Sequence, residues 1–229
     1  MNKTTISRAA LGAFLIASAF AAQAQIRITE VAPWGSGTSQ YGADWFELTN
    51  TGASAVNISG WKMDDNSASF GSAVAMSGIT SIAAGESVIF METSSTSTIS
   101  SFLSTWFGAN VPAGLQVGMY SGSGVGLSTT ADAVNIYNSA GVLQASVSFG
   151  ASDSGSILHT FDNSAAANNV TLTQLSAVGT NGALAAAGDS GEVGSPGVIA
   201  AVPEPSSYAL LIGGLGLVGF VARRRGIKG

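Results

Sequence analysis

The feature that most restricts this chain's fold is the rhythm of its apolar residues. They come in short runs that alternate with polar ones, and each run stops at Gly, Ser or Asn. In "ADWFELTNTG", Phe46 and Leu48 alternate with Trp45, Glu47 and Thr49 before Asn50, Thr51 and Gly52 supply a turn. A period of two is the signature of a strand, because successive side chains leave opposite faces of the backbone. "QIRITEVA" reads the same way, with Ile26, Ile28 and Glu30 on one face and Arg27, Thr29 and Val31 on the other. "AVNISGWKMDD" places Val56 and Ile58 before Gly60, which breaks the period as a bulge or a close packing site does. "ITSIAAGESVIFME" predicts two strands about an Ala-Ala-Gly turn, and "GLQVGMYSG", "DAVNIYNSAG", "VLQASVSFG", "SILHTF" and "VTLTQLS" supply more. Turn residues at intervals of about 8 to 12 positions predict an all-β sandwich. One segment differs. Ile99, Phe102, Leu103, Trp106 and Phe107 recur at helical spacing and stop at Gly108, predicting a single short helix.

The two ends obey other rules. Residues 1–24 begin with Lys3 and Arg8, continue as an apolar run, and close on Ala22-Gln23-Ala24, the small-x-small pattern cut by signal peptidase. This predicts a cleaved leader with Gln25 as first mature residue; the run is too short for a spanning helix. At the other end, residues 208–222 are uncharged and apolar, preceded by Pro203, Glu204 and Pro205 and followed by Arg223, Arg224 and Arg225. They predict a short transmembrane helix whose arginines stay cytoplasmic. The prolines hold residues 203–205 extended, the form a protease cleft accepts. A permanent anchor is the competing reading.

The expected organisation is therefore a leader (1–24), one domain (25–198), a linker (199–207), a helix (208–222) and a basic tail (223–229). There are no cysteines, which excludes disulfides and thiol chemistry. Over 25–201 two basic residues, Arg27 and Lys62, face twelve acidic ones, a net charge of -10 that repels phosphate backbones and excludes nucleic-acid binding through a basic patch.

Candidate chemistry is sparse. His159, the one histidine, lies near Asp153 and Asp162 among many serines, but no Gly-x-Ser-x-Gly turn accompanies it, and no catalytic residue is assigned. Asp44 with Glu47, or Asp64 with Asp65, offer oxygen to a hard cation; Asp-Asp-Asn is also ordinary turn chemistry, and no calcium-loop spacing is present. Glu30 with Glu47 is a conceivable carboxylate pair for glycoside hydrolysis. Trp61 and Trp106 fit core positions, whereas Trp34 and Tyr41, in the Gly-rich "PWGSGTSQYGAD", are expected to be exposed and able to contact a sugar. No cofactor is expected.

Two resemblances organise these readings. The ordered series Pro203-Glu204-Pro205, apolar helix and Arg223-Arg224-Arg225 resembles the PEP-CTERM sorting signal, which implies handling by exosortase in a Gram-negative bacterium that makes extracellular polysaccharide. It implies delivery to the envelope surface or beyond, after transient anchoring in the inner membrane. "IRITEVAP", "DWFELTNTGASAVNISGWKMDD", "SIAAGESVIF" as a hairpin, the helix ending "TWFG", "DAVNIYNSAGVLQASVSFG" and "GSPG" together resemble the lamin-tail domain, an immunoglobulin-like β-sandwich. Residues 162–190, rich in Ala, Asn and Gly, depart from that pattern and are expected to form an extended, partly disordered loop. The function these readings predict is an exported surface or matrix protein with a structural or adhesive role, such as in a biofilm. The rivals are a polysaccharide- or calcium-binding module and, third in order, a hydrolase.

Overall fold

The computed structural model describes residues 25–198 together with Gly214. The leader with Ala22 and Ala24, Pro203, Glu204, Pro205 and the three arginines lie outside the described residues, as does the helix expected at 208–222. Among the described residues no helix is long and apolar enough to cross a membrane.

In chain order the elements are β1 (Ile26–Ala32), a single turn α1 (Gly35–Thr38), β2 (Trp45–Asn50), β3 (Val56–Asn57), β4 (Lys62–Asp64) and β5 (Val74–Ser77). There follow β6 (Ser81–Ile82), β7 (Ser87–Glu92), α2 (Thr96–Phe107), β8 (Gln116–Tyr120), β9 (Asp132–Tyr137) and β10 (Leu143–Phe149). Five short strands complete the fold: β11 (Leu158–His159), β12 (Phe161–Asp162), β13 (Val170–Leu172), β14 (Leu184–Ala185) and β15 (Glu192–Gly194). Ten strands hydrogen-bond in the order β12-β1-β2-β7-β8-β5-β4-β9-β10-β13. β5 pairs with both β8 and β4 and so carries the chain's pairing from one layer of the sandwich to the other.

Ile28, Phe46, Leu48, Val88 and Phe90 from the first layer meet Met63, Val134, Ile136, Val147 and Phe149 from the second, forming the larger core. The first layer is buried on its other face too. There Trp45, Ile89 and Met91 pack with Phe102 and Trp106 of α2 and with Trp34 and Tyr41 of the preceding loop. The architecture is thus helix and loop on sheet on sheet, which is why β2 is buried at every position. This is an all-β sandwich with one substantial helix, consistent with an immunoglobulin-like fold.

α2 starts where Ser95 accepts a hydrogen bond from the Ser97 N–H and stops at Gly108, whose φ of 56° the helix cannot propagate. It also joins two parallel strands, β7 and β8, a connection that requires a crossover. The expected hairpin at "SIAAGESVIF" is corrected. The turn closes through Glu86 N–H to the Ala83 carbonyl, but β6 pairs with β3 and not with β7. Residues 162–190 are likewise not a loose loop. They contribute β13 to the edge of β10 in parallel, β14 to β15, and buried Leu172, Ser176, Ala183 and Ala186.

One irregularity shapes the chemistry. Ile28 pairs with Leu48, yet Glu30 pairs with Glu47, so Thr29 is an extra residue in β1. Such a bulge changes which face the following residues occupy. Ile26, Ile28 and Val31 therefore serve the sandwich core, and Glu30 does not share their face as strict alternation predicts: it lies beside Glu47 on the helix side.

Candidate functional site

The His159 constellation does not assemble a triad. His159 Nδ1 hydrogen-bonds Asp153 Oδ2, the same oxygen accepts the His159 backbone N–H at 3.2 Å, and the His159 carbonyl accepts Trp34 Nε1 at 3.0 Å. Asp162 lies apart, its Oδ2 accepting from Gln174 at 3.1 Å and Asn181 at 2.8 Å. Among the described residues no serine hydroxyl hydrogen-bonds the imidazole.

Asp64 and Asp65 are engaged elsewhere. Asp64 is buried, with Oδ2 accepting from the Ser67 hydroxyl and the Ser69 N–H, both at 2.8 Å. Asp65 accepts the Ser67 N–H at 3.1 Å, closing a local turn. Among the described residues no three His, Cys, Asp or Glu side chains converge as metal ligands.

The expectation of exposed rings at Trp34 and Tyr41 is corrected: they are 1% and 5% exposed. The physical reason lies in the helix-side core. The Tyr41 hydroxyl accepts Trp45 Nε1 at 3.1 Å and Trp106 Nε1 at 3.4 Å, so the loop folds inward to satisfy two buried indoles. Neither ring offers a stacking surface to a sugar. Burial, with the Glu192 carboxylate beside it, holds the Tyr41 hydroxyl well above its ordinary pKa, and burial pushes Glu192 up to about 7. Trp61 and Trp106 are buried as the pattern requires.

What the fold does bring together is a pair of buried carboxylates beneath the domain's C-terminal end. Glu30 and Glu47 are directly opposite in the β1–β2 ladder and 0% and 1% exposed. Glu30 Oε1 accepts the Thr160 hydroxyl at 2.5 Å and the Ser195 N–H at 2.6 Å. Glu47 accepts the Thr29 hydroxyl at 2.6 Å through Oε1 and the Gly197 N–H at 2.7 Å through Oε2. Thr160 is tied in turn to Ser176 at 2.6 Å, and Thr49 to Ser87 at 2.6 Å. The "GSPG" segment, residues 194–197, is therefore fastened to the first two strands by its own backbone N–H groups. The arrangement demands glycine twice. A Cβ at Gly194 would stand 2.7 Å from Glu30 Oε1 and 3.0 Å from Trp106 Cη2, while Gly197 has φ +75° and faces Leu115 at 2.7 Å.

Burial is the main cause holding both carboxyls above their ordinary range; for Glu30 the neighbouring Glu47 charge adds to it, and the Thr160 and Ser195 donors oppose it. Glu30 Oε2 is buried and has no hydrogen-bond partner among the described residues. Sealed from solvent in this way, Glu30 and Glu47 cannot reach a glycosidic bond, so the sequence-based pairing for hydrolysis is met in space and refused by burial. One acidic residue in each of the two strands was the signal of this clamp; its backbone donors lie 165 and 150 residues away.

A second acidic pair forms where β2 begins and β7 ends. Asp44 does not meet Glu47; its Oδ1 accepts the Ser36 N–H at 2.8 Å and its Oδ2 the Ser36 hydroxyl at 3.1 Å, and its carbonyl accepts the Glu92 N–H at 2.8 Å. Burial pushes its carboxyl up to about 7 against these donors, and burial also raises Glu92.

A family model described as the Lamin Tail Domain matches residues 19–151, and one described as the PEP-CTERM protein-sorting motif matches residues 201–225. No curated protein matches the chain. The first match stops before β11, although the sandwich draws its edge strands β12 and β13 and the clamped 194–197 segment from beyond it.

Proposed function

The chain belongs to the lamin tail domain family and carries a PEP-CTERM sorting motif, and from that premise we propose that it is a non-enzymatic structural or adhesive component of the cell surface or its polysaccharide matrix. The motif implies export to the envelope and processing by exosortase. Signal peptidase would act after Ala24, and the sorting helix would hold the precursor in the inner membrane until the tail is removed near Pro203, Glu204 and Pro205.

The single observation that carries this reading is the succession of clamp and motif. Val198 is the last residue of the fastened end, and Pro203 follows it by five positions, at most about 18 Å of extended chain. Processing then happens close to a folded domain in which residues 192–196 are buried and Val198 is exposed. Such a domain is delivered as a rigid body, which suits a scaffold better than a catalyst whose groups must open to substrate. The rival reading as a sugar-binding module loses its aromatic platform with the burial of Trp34 and Tyr41.

The test is intact-mass analysis of the protein recovered separately from inner membrane, cell surface and medium. A species starting at Gln25 and ending near Pro205 in the surface or medium fraction is expected. A species that keeps residues 223–229 and occurs only in the inner membrane refutes sorting.

A further inference from the structure

We propose that Asp44 and Glu92 form a divalent-cation site suited to calcium, in which two carboxylates are the anionic ligands and water completes the shell. The backbone holds the two residues side by side: Glu92, the last residue of β7, donates its N–H to the carbonyl of Asp44, which directly precedes β2. Residues directly opposed across an antiparallel pair project to the same face, so the two carboxyls are neighbours. Two carboxylates at that separation repel when both are ionised, so a proton or a cation belongs between them. Asp44 is already oriented by Ser36 through both of its oxygens, whereas Glu92 receives no donor except the Asp44 acid among the described residues.

Access is from the Glu92 side alone: Asp44 is 1% exposed, whereas Glu92 is only partly buried and lies under Gly126, which is exposed. A Cβ at Gly126 would stand 3.1 and 3.4 Å from the two Glu92 oxygens, so a glycine there leaves the carboxylate approachable from solvent.

An independent observation points to an occupant. The Tyr120 hydroxyl is buried with no hydrogen-bond partner among the described residues, and Tyr120 is the register partner of Glu92 in the β7–β8 ladder. After burial itself, the charges of Glu92, Asp44 and Asp132, in that order, oppose its ionisation, which puts it within their field but beyond a direct bond. A water in the shell of a bound ion would accept its proton and fill that gap.

Oxygen-only ligation, with no imidazole or thiolate at hand, selects a hard cation, and a site only partly supplied by protein suits calcium's flexible coordination better than the strict octahedron of magnesium. Two carboxylates place its affinity at the weak end, a Kd of about 10⁻⁴ to 10⁻³ M, as in extracellular modules. The site differs from both sequence-based expectations, since Asp44 is joined by Glu92 and not by Glu47 and neither Asp64 nor Asp65 takes part, and it stands or falls independently of the sorting reading because it needs only the folded domain.

The test titrates CaCl2 into the chelator-treated processed protein, by calorimetry and by thermal melting. Saturable binding at one site is expected, with Tm raised by about 3–5 °C at ten times Kd. Glu92→Gln should weaken binding at least tenfold, Asp44→Asn likewise, and Gly126→Ala, at an exposed position that will fold, should weaken it by obstruction; Asp65→Asn should leave it unchanged. Absence of saturable heat and of any Tm shift up to about 10 mM calcium overturns the proposal. So does binding that survives Glu92→Gln and Gly126→Ala, or binding lost with Asp65→Asn.

Discussion

Raising the pH should weaken this fold, and Glu30→Gln should remove much of that weakness. A carboxyl whose pKa is higher in the folded chain than in the unfolded one binds more protons when folded, so stability is complete below the unfolded value and declines as pH rises through the folded one. Glu30 moves from 4.5 to about 8, a displacement worth on the order of 5 kcal/mol if it titrated alone. Glu47 moves in the same direction, but the two share one buried ionisation, and relaxation of the surroundings reduces the penalty further. We therefore expect about 3–5 kcal/mol to be lost between pH 5 and pH 9, or roughly 6–20 °C in Tm for a domain of this size. In Glu30→Gln the amide oxygen still accepts from Thr160 and the Ser195 N–H, and an uncharged amide nitrogen takes the place of the unpartnered Oε2. Thermal melts of both proteins across this range provide the assay. The variant should lose at least half of the pH slope and melt above the parent at pH 9. Parallel curves, or a parent whose Tm holds steady or climbs from pH 5 to pH 9, would refute the reasoning.

Other outcomes follow from the same packing. Trp106→Ala removes a buried ring set 5.8 Å from Trp45 at 87° and deprives Tyr41 of one indole donor; it should cost about 3–5 kcal/mol in urea unfolding. Gly194→Ala drives a methyl group into Glu30 and Trp106 and should cost about 1–3 kcal/mol, while Gly150→Ala, which meets nothing within 4 Å, should stay within about 0.5 kcal/mol. His159→Ala should leave any hydrolysis assayed on the purified protein unchanged, because its ring is committed to Asp153 and not to a nucleophile. Replacing Pro203, Glu204 and Pro205 together by alanine should trap the unprocessed chain in the inner membrane, read by the same intact-mass measurement.

Features governed by near neighbours were legible without coordinates. The i, i+3, i+4 spacing of Ile99, Phe102, Leu103, Trp106 and Phe107 sets a helix by itself, and Gly108 ends it. Alternation in 45–50 and 87–92 sets strands by the same local logic. The residues 203–205 and 223–225 could be read directly as a sorting signal, because a processing enzyme meets them as a linear string.

Tertiary structure decided everything that depends on which strand finds which partner. The extra residue at Thr29 turns Glu30 from the sandwich core toward Glu47, and no periodicity announces a bulge whose cause is register with β2. Trp34 and Tyr41 are buried because α2 docks on the far face of the first layer, so residues 34–43 close over a second core despite their glycines. The pairings of Asp44 with Glu92, and of Glu30 and Glu47 with the N–H groups of Ser195 and Gly197, join segments distant in the chain. Composition and local period determined the elements and the destination of this protein. Burial, which only the assembled layers create, sealed Glu30 and Glu47 in the clamp and left Glu92 partly exposed.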